Sequence, residues 1–289
     1  MLTGIGPGYR VDGRYELGER LGRGTYGEVW RAQEWLGGDY IGDVALKLCE
    51  AEQSDLRQRL VREAQAMAQL AHPRLVAYRG CGLLEDRLFY LVMELADTSL
   101  EALLRGHGAQ PLDLVNRCIA HAAEGLAHIH SRGAVHRDVK PANLLRVGRT
   151  WKLGDMGLAR AVSGQMQTAS GAWGTRIYMS PEQAAGQIGP ASDVYALGVT
   201  AQEALTGVLP YSASTPLELA RKIVSTPPTI APDLPSPWSE LIPRMLSREP
   251  SDRPTAEQVA EALSGGARVA VGTSGPSAEE QFRRLARMA

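Results

Sequence analysis

The chain has 289 residues, enough for one large domain or two lobes around a substantial core. Hydrophobic residues make up 44% and charged residues 22%, so most of the chain is expected to fold. The net charge of −1 lacks the basic excess of a nucleic-acid binder, and Cys49, Cys81 and Cys118 form neither a disulfide framework nor a CxxC metal pair. No apolar run reaches the ~18 residues of a membrane span, and no basic stretch followed by an apolar one opens the chain. It reads as soluble and cytoplasmic.

Residues 1–13 carry four glycines and a proline and are expected to form a loose, flexible leader. From Tyr15 to Leu21 apolar and polar residues alternate, as in a half-buried strand. Gly22-Arg23-Gly24-Thr25-Tyr26-Gly27 then makes a glycine-rich turn, and residues 28–32 alternate again. Without Cβ atoms, such a turn can lay its backbone N–H groups over phosphates. GxGxxG also marks dinucleotide-binding folds, but there a helix starts at the third glycine, whereas Val29 and Trp30 favour a strand here. No GxxxxGK[ST] phosphate loop occurs. A plain hairpin turn remains the alternative at this point.

Residues 44–48, Val-Ala-Leu-Lys-Leu, form a short apolar strand interrupted by Lys47. A lysine in a buried strand is costly unless paired; otherwise it snorkels from an edge strand. Residues 53–70 have helical spacing in Leu56, Leu60, Met67 and Leu70, and Glu63 lies mid-helix between two of them. Glu63 is preferred over Glu50, Glu52 and Asp55 as the partner of Lys47. His72-Pro73 ends this helix. Strands follow near 77–83 and 88–95, and the second runs into a polar connection at Glu94-Leu95-Ala96. This connection reads as the junction between a β lobe (14–95) and a helical lobe (96–263), where backbone groups of Glu94 and Ala96 can meet an adenine edge.

Residues 112–132 form a long helix with an apolar stripe through Leu114, Cys118, Ile119, Ala122, Leu126 and Ile129. His121, His128 and His130 lack a metal-ligand spacing and are expected in surface or capping roles. After Gly133 comes His136-Arg137-Asp138-Val139-Lys140-Pro141-Ala142-Asn143, then Asp155-Met156-Gly157. Asp138, Asn143 and Asp155 fall within eighteen positions, with Lys140 between them. Residues 193–206 read as a buried helix capped by Asp193. Shorter helices are expected near 216–225, 237–247 and 255–263, broken by prolines at 226–237. Residues 264–277 look like a linker and 278–289 like a short amphipathic helix. Its twelve residues make a weak membrane-surface anchor, so docking on the domain or continuation into a longer chain is preferred.

Gly22-x-Gly24-x-x-Gly27-x-Val29, Val44-Ala45-Leu46-Lys47, Glu63, His136-Arg137-Asp138, Asn143, Asp155-x-Gly157, Ser180-Pro181-Glu182, Asp193 and Arg253 occur in the order and spacing of eukaryotic-type protein kinases. The resemblance covers roughly residues 15–263. Lys140 resembles the serine/threonine class, and Met-Ser-Pro-Glu-Gln and the compact loops are similar to bacterial members.

The resemblance implies an α+β fold of two lobes: a five-stranded antiparallel sheet with one main helix over a larger, mainly helical lobe. It implies transfer of the γ-phosphoryl group of ATP to Ser or Thr hydroxyls of proteins, with Mg2+ as the metal and Mn2+ an alternative. By the same resemblance, Asp138 orients the hydroxyl and accepts its proton, Lys140 neutralises the transferring group, Asn143 and Asp155 hold two metal ions, and Lys47 paired with Glu63 holds phosphates. Leu21, Val29, Ala45 and Leu145 look like the apolar walls around adenine, with Met93 limiting the back of the pocket and Gly22, Gly24 and Gly27 covering the phosphates. Glu182 and Arg253 look like a buried ion pair, and Asp193 like a brace for the catalytic-loop backbone.

Residues 155–182 resemble an activation segment. Thr168, Ser170 and Ser163 are candidates for autophosphorylation, with Arg137 placed to receive the phosphate. Thr175 resembles the residue that contacts Asp138 and Lys140 and positions substrate. Two departures stand out: Met156 replaces the usual Phe, and the segment after Glu94 is short, so the ribose contact falls to Asp97 or Ser99. The rival readings are a pseudokinase scaffold, disfavoured by the intact Lys47, Asp138, Asn143 and Asp155, and a small-molecule phosphotransferase, disfavoured by Ser180-Pro181-Glu182 and the long activation segment.

Overall fold

The computed structural model describes residues 4–24, 27–50, 70–84, 88–155 and 177–264. Its first part is an antiparallel sheet of six strands: β1 (Arg10–Val11), β2 (Tyr15–Gly24), β3 (Gly27–Leu36), β4 (Asp39–Glu50), β5 (Tyr78–Leu84) and β6 (Leu88–Glu94), in the order β1-β2-β3-β4-β6-β5. One strand more than expected is present because residues 1–13 are not simply a loose leader. Arg10 and Val11 pair with Glu16 and Tyr15, Val11 is fully buried, and Ile5 and Tyr9 pack against the same cluster. Apolar side chains at three positions outweigh the local glycine content, which is all that composition reveals.

The sheet buries both faces, and strand alternation sorts the residues. Val44, Leu46 and Leu48 of β4 join Leu88, Tyr90 and Val92 of β6 on the outer face, under Val11, Tyr15 and Trp30. Ala45 lies on the inner face with Phe89, Leu91 and Met93, and Val29, Leu95 and Leu145 pack against them. Lys47 shares the parity of Ala45 and therefore points inward. The helix expected at 53–70 falls almost wholly outside the described residues.

The second part is helical. β7 (Thr98–Ser99), β8 (Leu144–Val147) and β9 (Thr150–Leu153) form a small sheet beneath the first. Around it lie α1 (Leu100–His107), α2 (Leu112–His130), α3 (Pro181–Ala184), α4 (Pro190–Thr206), α5 (Pro216–Ser225), α6 (Trp238–Met245) and α7 (Ala256–Leu263). The core packs α2 against α4, α6 and α7 through Cys118, Ile119, Leu126, Val199, Trp238 and Val259. α1 was missed by periodicity, although Ser99 signals it: its hydroxyl accepts the Ala102 amide at 3.1 Å as an N-cap. Asp193 is not the cap of α4. That helix starts at Pro190 after Gly189, which leaves Asp193 inside the first turn, buried and aimed elsewhere.

Candidate active site

The catalytic loop is held from below. Asp193, 1% exposed, accepts the His136 amide at 2.8 Å and the Arg137 amide at 2.7 Å through its two carboxylate oxygens. His130, at the end of α2, meets the same carboxylate at 2.8 Å. This explains how Arg137 can sit at φ 74°, a left-handed conformation that non-glycine residues rarely adopt: neighbouring bonds over-determine the backbone. The histidine therefore has a structural role beyond the surface or capping position expected of it. No i, i+4 pattern announces it, because its partner is 63 residues away.

Above this brace the loop presents its chemistry. Lys140 Nζ lies 2.8 and 3.0 Å from the two Asp138 carboxylate oxygens. Asn143 Nδ2 donates to Asp138 O at 2.6 Å and to Asp138 Oδ2 at 3.0 Å. Both hydrogen bonds of the amide nitrogen go to Asp138, which leaves the amide oxygen as the atom that can serve as a ligand. The short 3₁₀ turn Pro141–Asn143 makes this possible by folding residue 143 back over residue 138.

From the other side, β4 delivers Lys47 and β9 delivers Asp155. Their side chains form an ion pair across the two lobes, with Lys47 only 8% and Asp155 42% exposed. Burial works against the Lys47 charge, but Asp155 outweighs it and holds the ammonium above its ordinary value. Burial likewise opposes ionisation of Asp155, yet Lys47, helped by Lys140 and His136, keeps the carboxyl below its ordinary value. Asp155 also has positive φ, 57°. It follows Gly154, whose N–H donates to Asn143 O at 2.9 Å and whose carbonyl meets His136 Nε2 at 3.0 Å. The two acidic turns are thus bonded to each other, and Lys47 feels both Asp155 and Asp138 while Asp155 feels both Lys47 and Lys140. The expected Glu63 partner of Lys47 lies outside the described residues, as do Met156, Ser163, Thr168, Ser170 and Thr175.

Val29, Ala45, Met93 and Leu145, expected as adenine walls, share one apolar cluster, which core packing alone also gives. Leu21 stands apart at the rim, 47% exposed. Gly27 has φ 148°, and a Cβ there would lie 1.9 Å from Leu48 O, so only glycine fits where β3 turns under the loop. Asp97 and Ser99, considered for a ribose contact, both have structural partners: Asp97 accepts the Gly148 amide at 2.7 Å, and Ser99 caps α1. Glu182 and Arg253 form a bidentate pair at 2.7 and 2.9 Å, with the arginine side chain fully buried over the Tyr195 ring.

The family model for the protein kinase domain matches residues 15–263. The chain belongs to the protein kinase family. β1 lies just before the matched span of this kinase domain. Among its relatives, the serine/threonine-protein kinase PknA of Mycobacterium tuberculosis is 35% identical over 273 residues, which cover 89% of this chain and 63% of PknA. PkaA of Streptomyces coelicolor, another serine/threonine-protein kinase, is 35% identical over 273 residues, covering 88% of this chain and 50% of its own. The cytokinesis protein sepH of Emericella nidulans is 30% identical over 249 residues, covering 85% of the chain and 18% of sepH. The kinase domain therefore spans less than two thirds of the length of these relatives. No helix among the described residues is long and apolar enough to cross a membrane.

Proposed function

We propose that the chain transfers the γ-phosphoryl group of ATP to Ser or Thr hydroxyls of proteins, including its own activation segment. The observation that carries this reading is the Asp138 carboxylate held between Lys140 Nζ and Asn143 Nδ2 on a loop clamped by Asp193. Asp138 aligns the substrate hydroxyl and takes its proton as the oxygen attacks the γ-phosphorus. The bond from that phosphorus to the bridging oxygen breaks, and ADP leaves with the electron pair. Lys140, on the same carboxylate, spreads positive charge toward the transferring group, and Lys47 offers the same to the other phosphates. Positioning and fixed charges supply most of the acceleration, and no covalent enzyme intermediate is needed.

The donor set fits Mg2+, with Mn2+ as the alternative. The Asn143 amide oxygen and the Asp155 carboxylate are hard oxygen ligands, too few for an all-protein cage but suited to an ion that keeps waters and takes substrate phosphates. No group of three or more His, Cys, Asp or Glu among the described residues forms such a cage. When bound, the metal neutralises phosphate charge. Lys47 then exchanges its contact with Asp155 for phosphate oxygens and Glu63. Adenine sits between Val29, Ala45, Met93 and Leu145, against backbone groups of Glu94 and Ala96, with Leu21 closing the rim and Gly22, Gly24 and Gly27 over the phosphates.

Arg137 Nε is buried and finds no hydrogen-bond partner among the described residues. This supports its role as the receiver of a phosphate on Thr168 or Ser170, with Ser163 a further candidate, while Thr175 positions substrate. Incubation with Mg-ATP and a generic basic protein tests the reading. Wild type incorporates phosphate into substrate and into residues 155–182, and Asp138→Asn loses about 10²–10⁴-fold, the range of a general base. Equal incorporation by both proteins overturns the assignment.

A further inference from the structure

Lys152, three residues before Asp155 on β9, has no part in the chemistry above, yet its side chain is only 15% exposed. Its Nζ lies 2.6 Å from Glu94 Oε1, and the Glu94 side chain is 12% exposed. The same oxygen accepts the Ala77 amide at 2.7 Å, while Glu94 N donates to Ala77 O at 3.0 Å. The extended segment 74–77 thus runs between the end of β6 and β9. On its β9 side, Val76 N donates to Leu153 O at 3.0 Å and Leu153 N to Arg74 O at 2.8 Å. The adenine-edge residue is thus joined to β9 by one ion pair and, through segment 74–77, by one short ladder that ends two residues before the metal-side carboxylate.

A half-buried ion pair is weak evidence for stability, because desolvation offsets much of its attraction. It is better suited to fixing one arrangement over others. β9 has only four residues, and Asp155 leaves it two residues later in a left-handed conformation. A small tilt of β9 would therefore redirect the Asp155 carboxylate. We infer that Lys152 is a positioning residue that couples the seating of adenine at Glu94 to the placement of Asp155 for metal and phosphates. The inference rests on the site reading given under Proposed function.

Titration calorimetry separates this coupling from a merely structural pair. Wild type, Lys152→Met and Lys152→Arg are each titrated with adenosine, with ADP, and with ADP plus Mg2+. In wild type, Mg2+ tightens ADP binding. Lys152→Met weakens adenosine binding and cuts the Mg2+ enhancement by about fivefold or more, the lower end of typical coupling between two sites. Lys152→Arg keeps both. Unchanged adenosine affinity and unchanged Mg2+ enhancement in Lys152→Met overturn the inference, even if its melting temperature falls. Should that variant fail to fold, the double variant Glu94→Gln/Lys152→Met removes both charges. Its loss of Mg2+ enhancement supports the coupling, and retention overturns it. Failure of wild type to bind any nucleotide overturns the kinase reading itself.

Discussion

The site is made of two halves that hold their charges by different means. In the half built on residues 136–143, the buried Asp193 carboxylate clamps the backbone, and Asp138, Lys140 and Asn143 bond to one another above it. In the Lys47–Asp155 half, two charges from different lobes hold each other directly, one of them still 42% exposed. The first is a structural element that function depends on. The second is, on the proposed function, the pair that exchanges partners when nucleotide and metal bind. Burial explains the difference: Asp193 is 1% exposed and must satisfy its bonds internally, whereas the Asp155 side chain is 42% exposed.

This contrast can be broken by substitution. Lys47→Met should cost about 10²–10³-fold in kcat/KM, similar to removing one preorganised electrostatic donor, while the melting temperature stays nearly level, because Asp155, 42% exposed, can be hydrated once its partner is gone. Steady-state kinetics beside thermal unfolding reads both. Asp193→Ala should lose activity and stability together, by about 3 kcal/mol or more, because two buried amides lose a charged acceptor. A fully stable, inactive Asp193→Ala protein would erase the distinction between the halves.

The Glu182–Arg253 pair tests the structural half by pH. Burial opposes ionisation of Glu182, but Arg253 with the Ser192 and Ser180 hydroxyls outweighs it and holds the carboxyl down at about 2. A carboxyl lowered in the folded state stabilises fully above its unfolded value, and that contribution disappears as pH falls toward the folded value. Wild type should therefore exceed Glu182→Gln by about 3 kcal/mol at pH 7, with the gap closing between about pH 4.5 and 2. Denaturant titrations across that window check it, and a gap independent of pH would rule out the ion pair as its source. The smallest effect belongs to the outer face of the sheet. Tyr90 donates to Asp12 Oδ2 at 2.6 Å, so Tyr90→Phe should cost about 1 kcal/mol in unfolding experiments and leave KM for ATP unchanged.

Much of this could be read from the residues. Alternation at 15–21 and 28–32, the apolar stripe of α2 and the spacing of Asp138, Asn143 and Asp155 all survive in the structure, because each reflects local periodicity or an ordered motif. The misses share a cause. β1 depends on Val11 finding a sheet, α1 on Ser99 capping a segment of weak periodicity, and the bond of His130 on a carboxylate 63 residues later, whereas the bracing of residues 136 and 137 by Asp193 follows from the resemblance to protein kinases.

The sequence alone determined which groups this kinase domain carries and the order in which the strands and helices present them, since those follow from side-chain chemistry and period. Only the tertiary structure decided several of the meetings: His130 beside Asp193, Lys152 against Glu94, Lys47 against Asp155. These pairs are separated by 58 to 108 residues, and no local pattern encodes a contact between side chains so far apart in the chain.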